Sequence, residues 1–143
     1  MFSRAAKARL VAPEDLADLV ERLLAARLLA ALGLARKAGD LTFGFERVLA
    51  AINSGRAAWL VEASDGAEDG RRKLLAAARK ASPPPRLCMA FTSGELGLAL
   101  GVGNVIHTAF LAGRGAERWT SDVERLSGFR PLLLESRREE PPT

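Results

Sequence analysis

The stretch from Leu32 to Ala63 reads LGLARKAGDLTFGFERVLAAINSGRAAWLVEA, and it decides the fold of this chain. Its order of residue types predicts the end of a helix, a turn with glycines at 39 and 44, and a second helix that stops at Gly55. A strand is predicted over 57–63, because AAWLVEA is almost wholly apolar, as a strand covered on both faces would be. This order indicates a domain in which helices cover a sheet.

The same alternation continues on either side of this stretch. Pro13 and the acidic residues after it predict a helix start, and the apolar spacing predicts one long or kinked helix as far as Lys37. The other predicted elements are a helix over 68–81, strands over 86–91 and 105–111, a short helix starting at Thr92 or Ser93, and a helix over 115–126. The short helix has Glu95 close to a capping-box position. The helix over 68–81 is expected to expose a basic face made of Arg71, Arg72, Lys73, Arg79 and Lys80. The expected fold is α/β, a three-layer α/β/α sandwich with a small central mixed sheet.

Length and composition limit the kind of protein this is. The 143 residues predict one folded domain over 12–130, with a basic tail at 1–11 and a disordered polar tail at 131–143. The net charge of +4 and the isoelectric point of about 10.0 favour anionic partners. No apolar run is long enough for a membrane helix, so we expect no membrane partner.

The titratable side chains give no sign of catalysis or of a cofactor. The single cysteine, Cys88, excludes an intrachain disulfide, which fits a cytoplasmic location, and we expect it to be a buried hydrophobe. With one cysteine and one histidine, no zinc site is predicted, and His107 is expected to be a buried or half-buried residue of its strand. The glycines near residue 100 do not match a dinucleotide motif, so no small-molecule substrate is expected.

The turn at 39–44 is the best candidate for a binding site. It leads into a helix N-terminus, whose free N–H groups attract anions. The cations Arg36, Lys37 and Arg47 flank it in sequence, which suits the site to phosphate. A glycine-rich loop at 101–104 is the candidate second half of the same site.

Two segments carry a resemblance to a known family. They are AGDLTFGFERVLAAINSGRAAWLVEAS, residues 38–64, and TSGELGLALGVGNVIHTAFL, residues 92–111. In their motifs and spacing they resemble the kink-turn-binding ribosomal proteins, typified by archaeal L-seven-Ae and eukaryotic-type L-thirty-e. The segment SRAAKARLVAPEDLADLVERLL before them is similar to bacterial proteins in which a small YlxR-type nucleic-acid-binding domain precedes this fold. Residues 1–11 would then be the end of that upstream domain.

This resemblance implies an RNA site built from two neighbouring segments. Gly44 would allow close approach of the backbone, Phe45 would stack on an unpaired base, and Asn104 would offer both a donor and an acceptor. The resemblance implies RNA contacts from Thr42, Phe43, Gly44, Phe45, Glu46 and Arg47 in the first segment, and from Gly101, Val102, Gly103, Asn104 and Val105 in the second. Arg36 and Lys37 join these candidate RNA-binding residues because of their charge beside the turn.

The chain departs from the family pattern where kink-turn binders carry an Asn-Glu pair and, one turn later, a lysine. Those positions read Phe45 or Glu46, then Arg47, and Ala50 here. We therefore expect a non-enzymatic, cytoplasmic RNA-binding domain associated with the ribosome or another structured RNA. Two alternatives stay open: a protein-interaction module that has lost the RNA determinants, and the substrate-recognition domain of an RNA-modifying enzyme.

Overall fold

The computed structural model of this protein describes residues 13–133. The predictions of a basic tail and an upstream domain at 1–11 lie outside the described residues, as does most of the predicted C-terminal tail. The elements in chain order are α1 (Pro13–Ala38), β1 (Leu41–Phe43), α2 (Phe45–Asn53), β2 (Ala57–Glu62), α3 (Glu68–Lys80), β3 (Arg86–Cys88), α4 (Ser93–Leu100), β4 (His107–Leu111) and α5 (Arg114–Leu126).

The four strands form one mixed sheet in the order β1-β4-β2-β3. Strand β4 pairs antiparallel with both β1 and β2, whereas β2 and β3 run parallel. One face packs against α1, α4 and α5, and the other packs against α2 and α3. The predicted three-layer α/β/α sandwich with a mixed sheet is therefore confirmed.

Two tryptophans organise the larger of the two cores. Trp59 of β2 and Trp119 of α5 meet edge to face, with ring centroids 5.3 Å apart. Each indole N–H has a partner: Trp119 Nε1 donates to the carbonyl of Leu28 at 3.0 Å, and Trp59 Nε1 donates to Thr120 Oγ1 at 2.8 Å. These bonds satisfy the only polar atom of each large buried side chain and fix α1 and α5 on the sheet.

The strands differ from the predictions mainly at their ends. Strand β3 stops at Cys88, because the next N–H, that of Met89, donates to the carbonyl of Leu132 and not to the sheet. Leu132, which the sequence assigns to the C-terminal tail, also packs against the core. Strand β4 starts at His107, because the N–H of Val105 donates to Ser93 in α4.

Two sequence interpretations need correction. Residues 41–43 were expected within a turn, but they form the edge strand β1, in which Thr42 pairs with Ala109 and Phe43 with Thr108 of β4. Arg71 was expected on an exposed basic face, but it is only 6% exposed and donates to the carbonyl of Gly66. By contrast, Arg72 and Lys73 are exposed and pair with Glu68 and Asp69 of their own helix.

Candidate functional site

The first half of the candidate site is the start of α2. Gly44 precedes the helix with φ +98°, a conformation that favours glycine, and its N–H donates to the carbonyl of His107 at 3.0 Å. Among residues 13–133, no side chain caps this helix, and a Cβ built on Gly44 would meet no further atom within 4 Å. The backbone N–H groups of the first turn are therefore open to an incoming anion.

In the first turn of α2, one side chain packs against the core and two are exposed to solvent. Phe45 is half-buried and packs on the α2–α3 core, while Glu46 and Arg47 are exposed. Within residues 13–133, none of Arg36, Lys37 and Arg47 takes part in an ion pair. The charges of Lys37 and Arg47 therefore remain available to a ligand.

Arg36 connects this turn to the second candidate segment. Its guanidinium lies over the ring of Phe43, 5.1 Å from the centroid, and its Nη1 donates to the carbonyl of Leu100 at the end of α4. The same Nη1 lies 3.9 Å from a Cβ built on Gly101. Arg36 therefore places a positive charge at the C-terminal end of α4, where the helix dipole favours it.

The second segment, the loop from Gly101 to Asn104, is exposed but held tightly against α4. Gly101 is left-handed with φ +76°, and the N–H of Val102 donates to the carbonyl of Gly97 at 2.9 Å. A Cβ on Gly97 would lie only 1.5 Å from the carbonyl oxygen of Gly103. The glycine of Glu95-Leu96-Gly97 thus has a structural cause: only glycine at 97 lets the loop fold back onto its helix.

Val105 does not share the exposure of this loop. Its side chain is buried in the larger core, and its N–H is bonded to Ser93. The expectation that Val105 contributes a surface contact therefore needs correction. The apolar run VIHTAF predicts burial of Val105 as readily as exposure, and the packing of α4 decides the matter.

The two segments meet at the start of β4. The carbonyl of His107 accepts the N–H of Gly44, and Asn104 precedes His107 by only three residues. Three residues span at most about 10–11 Å, so Asn104, the last residue of the second loop, lies near the Gly44 turn. The Gly44 turn and the 101–104 loop are together called the candidate edge.

Sequence reasoning missed a polar cluster directly behind this edge. Glu62 and His107 stand opposite each other in the β2–β4 register, and His107 Nδ1 lies 2.9 Å and 3.0 Å from the two carboxylate oxygens. Burial raises the pKa of Glu62, against the opposing effects of its bond to His107 and the charges of His107 and Arg71. The only signal was one acid and one histidine inside apolar runs 45 residues apart.

A second acidic residue anchors α4. Asp65 accepts two hydrogen bonds from Ser93, one from its N–H at 2.8 Å and one from its hydroxyl at 3.0 Å. The backbone bond first, and then the hydroxyl bond, lower the pKa of Asp65 below its ordinary value. The helix start itself is a capping box between Thr92 and Glu95, as the sequence predicts.

Between residues 13 and 133, no group of three His, Cys, Asp or Glu side chains is placed to hold a metal ion. In the same part of the chain, no helix has the length and apolar character needed to cross a membrane.

The architecture is shared with solved structures, although neither a protein-family model nor a curated protein sequence matches this chain. A protein of unknown function from Bacillus halodurans C superposes with a TM-score of 0.62 and 23% identity, covering 69% of this chain and 98% of its own. The Giardia lamblia 15.5kD RNA binding protein superposes with a TM-score of 0.57 and 18% identity, covering 77% of this chain and 90% of its own. At these identities the similarity establishes the fold.

Proposed function

We propose that this protein is a non-enzymatic RNA-binding protein that grips structured RNA at the edge formed by the Gly44 turn and the 101–104 loop. The observation that carries the proposal is the open start of α2, which has the exposed Arg47 in its first turn. Within residues 13–133, no acid pairs with Arg47 or with the other two candidate cations, Arg36 and Lys37. The shared fold with an RNA-binding protein of Giardia supports it.

Each part of the edge suits a different part of an RNA. A phosphate would bind the free N–H groups after Gly44, with Arg47 and Lys37 adding charge. The half-buried ring of Phe45 would stack on an unpaired base, and Asn104 would bond a base edge or a sugar hydroxyl. Glu46 would accept from a base amino group, while Thr42, Val102 and the two loop glycines give the surface its shape.

The expected choice of RNA follows from the lysine that the resembled family carries one turn into this helix and that this chain lacks. Ala50 offers no charge one turn into α2, so we expect weaker discrimination in favour of kink-turns than the resembled family implies. The proposed targets are bent or internally looped RNAs, of which ribosomal RNA is the most abundant source. A cytoplasmic location, supported by the lone buried Cys88, fits this role.

The test uses the full chain and three fluorescent probes: a kink-turn hairpin, a fully paired hairpin of equal length, and a single strand. We expect the kink-turn hairpin to bind more tightly than the fully paired hairpin and the single strand. Affinity should fall steeply between about 50 mM and about 200 mM salt, because bound phosphates release counterions. Absence of binding at low salt, or equal binding to all probes, would contradict the proposal.

A protein-interaction role is the second candidate, and one specific groove favours it. The groove between α1 and α4 has a volume of about 550 Å³ and is flanked by Leu34 and Leu98, which are 67% and 84% exposed. Arg36 and Lys37 also line it. Apolar walls next to two cations fit a leucine-bearing acidic peptide segment. Loss of a protein partner but not of RNA on Leu98→Asp would assign the groove to that role.

A further inference from the structure

His107 contacts three separate parts of the structure behind the proposed RNA edge. Its carbonyl accepts the N–H of Gly44 at 3.0 Å, and its Nδ1 bonds both oxygens of Glu62. Its ring meets the ring of Phe45 edge to face, with centroids 5.7 Å apart and planes at 73°. A single residue thus touches both the backbone and the first side chain of the α2 turn.

The ring of His107 is held from beneath. Glu62 is 1% exposed and stands opposite His107 on the neighbouring strand, so the carboxylate cannot turn to solvent. A carboxylate bonded to one ring nitrogen fixes both the orientation of the imidazole and the position of its proton. The buried guanidinium of Arg71 adds a positive charge near the same carboxylate.

Gly70 completes the enclosure and is an independent sign that the ring position matters. It lies in the first turns of α3, where glycine is a poor helix former. A Cβ on Gly70 would stand 2.9 Å from Nε2 and 3.0 Å from Cε1 of His107, and 3.9 Å from the ring of Phe45. The missing side chain leaves the space that the histidine ring occupies.

We propose that His107 is a positioning residue for the RNA-binding turn: its carbonyl fixes Gly44, and its ring, held by Glu62 and accommodated by Gly70, fixes the ring of Phe45 for stacking on a base. This inference rests on the proposed function for its RNA step only. The orientation of Phe45 is a property of the free protein, so it is measured without RNA.

The first arm of the test is NMR of the free full-length chain with labelled phenylalanine. The chain has six phenylalanines, so Phe45→Leu identifies the signals of Phe45. Wild type should show contacts between the Phe45 and His107 rings. His107→Gln keeps a donor for Glu62 but loses the ring, and Gly70→Ala displaces the ring; both should move the Phe45 signals. Glu62→Gln keeps an accepting oxygen and should preserve them.

Thr108→Val is the matched control, because Thr108 is the next residue of β4, is fully buried, and its hydroxyl has no hydrogen-bond partner in the part of the chain that the structure describes. It should leave the Phe45 signals in place. Unchanged Phe45 signals in both folded His107→Gln and folded Gly70→Ala would overturn the positioning role. Thermal melts of each variant establish that the comparison is made between folded proteins.

The second arm measures binding of the kink-turn hairpin to the same variants. In the otherwise unchanged chain, His107→Gln should weaken binding of this hairpin about three- to tenfold, as expected for the loss of one aromatic contact. When Phe45→Leu is already present, adding His107→Gln should cause no further loss of affinity. Additive losses would show that His107 does not act through Phe45, and would overturn the proposal. If wild type binds none of the RNA probes, the proposed function fails, while the NMR arm still decides whether His107 fixes Phe45.

Discussion

The two halves of the candidate edge are built in opposite ways. At the start of α2, none of the described residues comes within 4 Å of a Cβ built on Gly44, and the turn is held by a hydrogen bond to the carbonyl of His107. In the 101–104 loop, the backbone lies directly on Gly97 of its own helix, so close that a Cβ there would overlap it. The first half thus offers free donors and charge, whereas the second offers a rigid shape with one polar side chain, Asn104.

The largest expected effect is a loss of protein stability in the second half of the edge, where the 101–104 loop packs on Gly97. Gly97→Ala should destabilise the protein by about 2–4 kcal/mol, because the new Cβ would lie 1.5 Å from the carbonyl oxygen of Gly103. Chemical denaturation measures the change. Gly103→Ala is the control, since a Cβ there meets nothing within 4 Å, and it should change stability by less than about 0.5 kcal/mol. Equal effects would mean that the two glycines do not differ in packing.

In the first half of the edge, at the Gly44 turn, a substitution should lower RNA affinity more than it lowers protein stability. Gly44→Val places a branched side chain over the free N–H groups, so RNA affinity should fall about tenfold or more, equivalent to about 1.4 kcal/mol. Gly113→Val is a close match, because Gly113 also precedes a helix, has φ +153°, and has open space around it. Both variants carry a backbone penalty of about 1–2 kcal/mol.

Binding titrations after thermal melts separate the two glycines. Only Gly44→Val should lose RNA while folded. Tight RNA binding by folded Gly44→Val would remove the start of α2 from the site.

Reversing one charge at the start of α2 tests the same half of the edge, and we expect a smaller loss of RNA affinity. Arg47→Glu should weaken RNA binding about tenfold and reduce the salt dependence, since Arg47 is exposed in the first turn of α2. Arg79→Glu, on the exposed face of α3, should weaken it about twofold or less. Fluorescence anisotropy at two salt concentrations gives both quantities. Similar losses would indicate diffuse attraction without a defined site.

The smallest expected effect is on stability at acid pH, where the hydrogen bonds from Ser93 to Asp65 that hold α4 and the 101–104 loop are weakened. Because Ser93 lowers the pKa of Asp65 in the folded state, the carboxylate stabilises the fold above its unfolded pKa of about 3.9. That contribution is lost as the pH falls through the lower folded value. Asp65→Asn should therefore melt earlier than wild type at neutral pH, and the gap should narrow below about pH 4. A gap independent of pH would contradict this assignment.

Much of this arrangement could be predicted from the sequence, because it depends on local signals. Apolar runs predicted three of the four strands, helical spacing and glycine stops predicted the helices, and the Thr92–Glu95 capping box fixed one helix start. The edge strand β1 was missed, since three residues carry no periodicity and form a strand only by pairing with β4.

The rest depends on contacts between distant residues. The burial of Arg71 and Val105, and the pairing of Glu62 with His107, follow from how α3 and α4 pack and how β2 and β4 align. No local pattern distinguishes a solvated arginine from one that bonds the carbonyl of Gly66. The helices, turns and loops around the candidate edge were therefore predictable, whereas the burial and partners of individual side chains were not.

The bond from the Gly44 N–H to the carbonyl of His107 has a consequence for the rate of association. A turn already fixed on the sheet loses little conformational entropy when a ligand arrives, since its φ and ψ angles are set beforehand. Encounter with a polyanion would then be governed by diffusion and long-range attraction, without a slow folding step of the turn. Differences in affinity between RNAs would consequently be expressed in how long each complex survives.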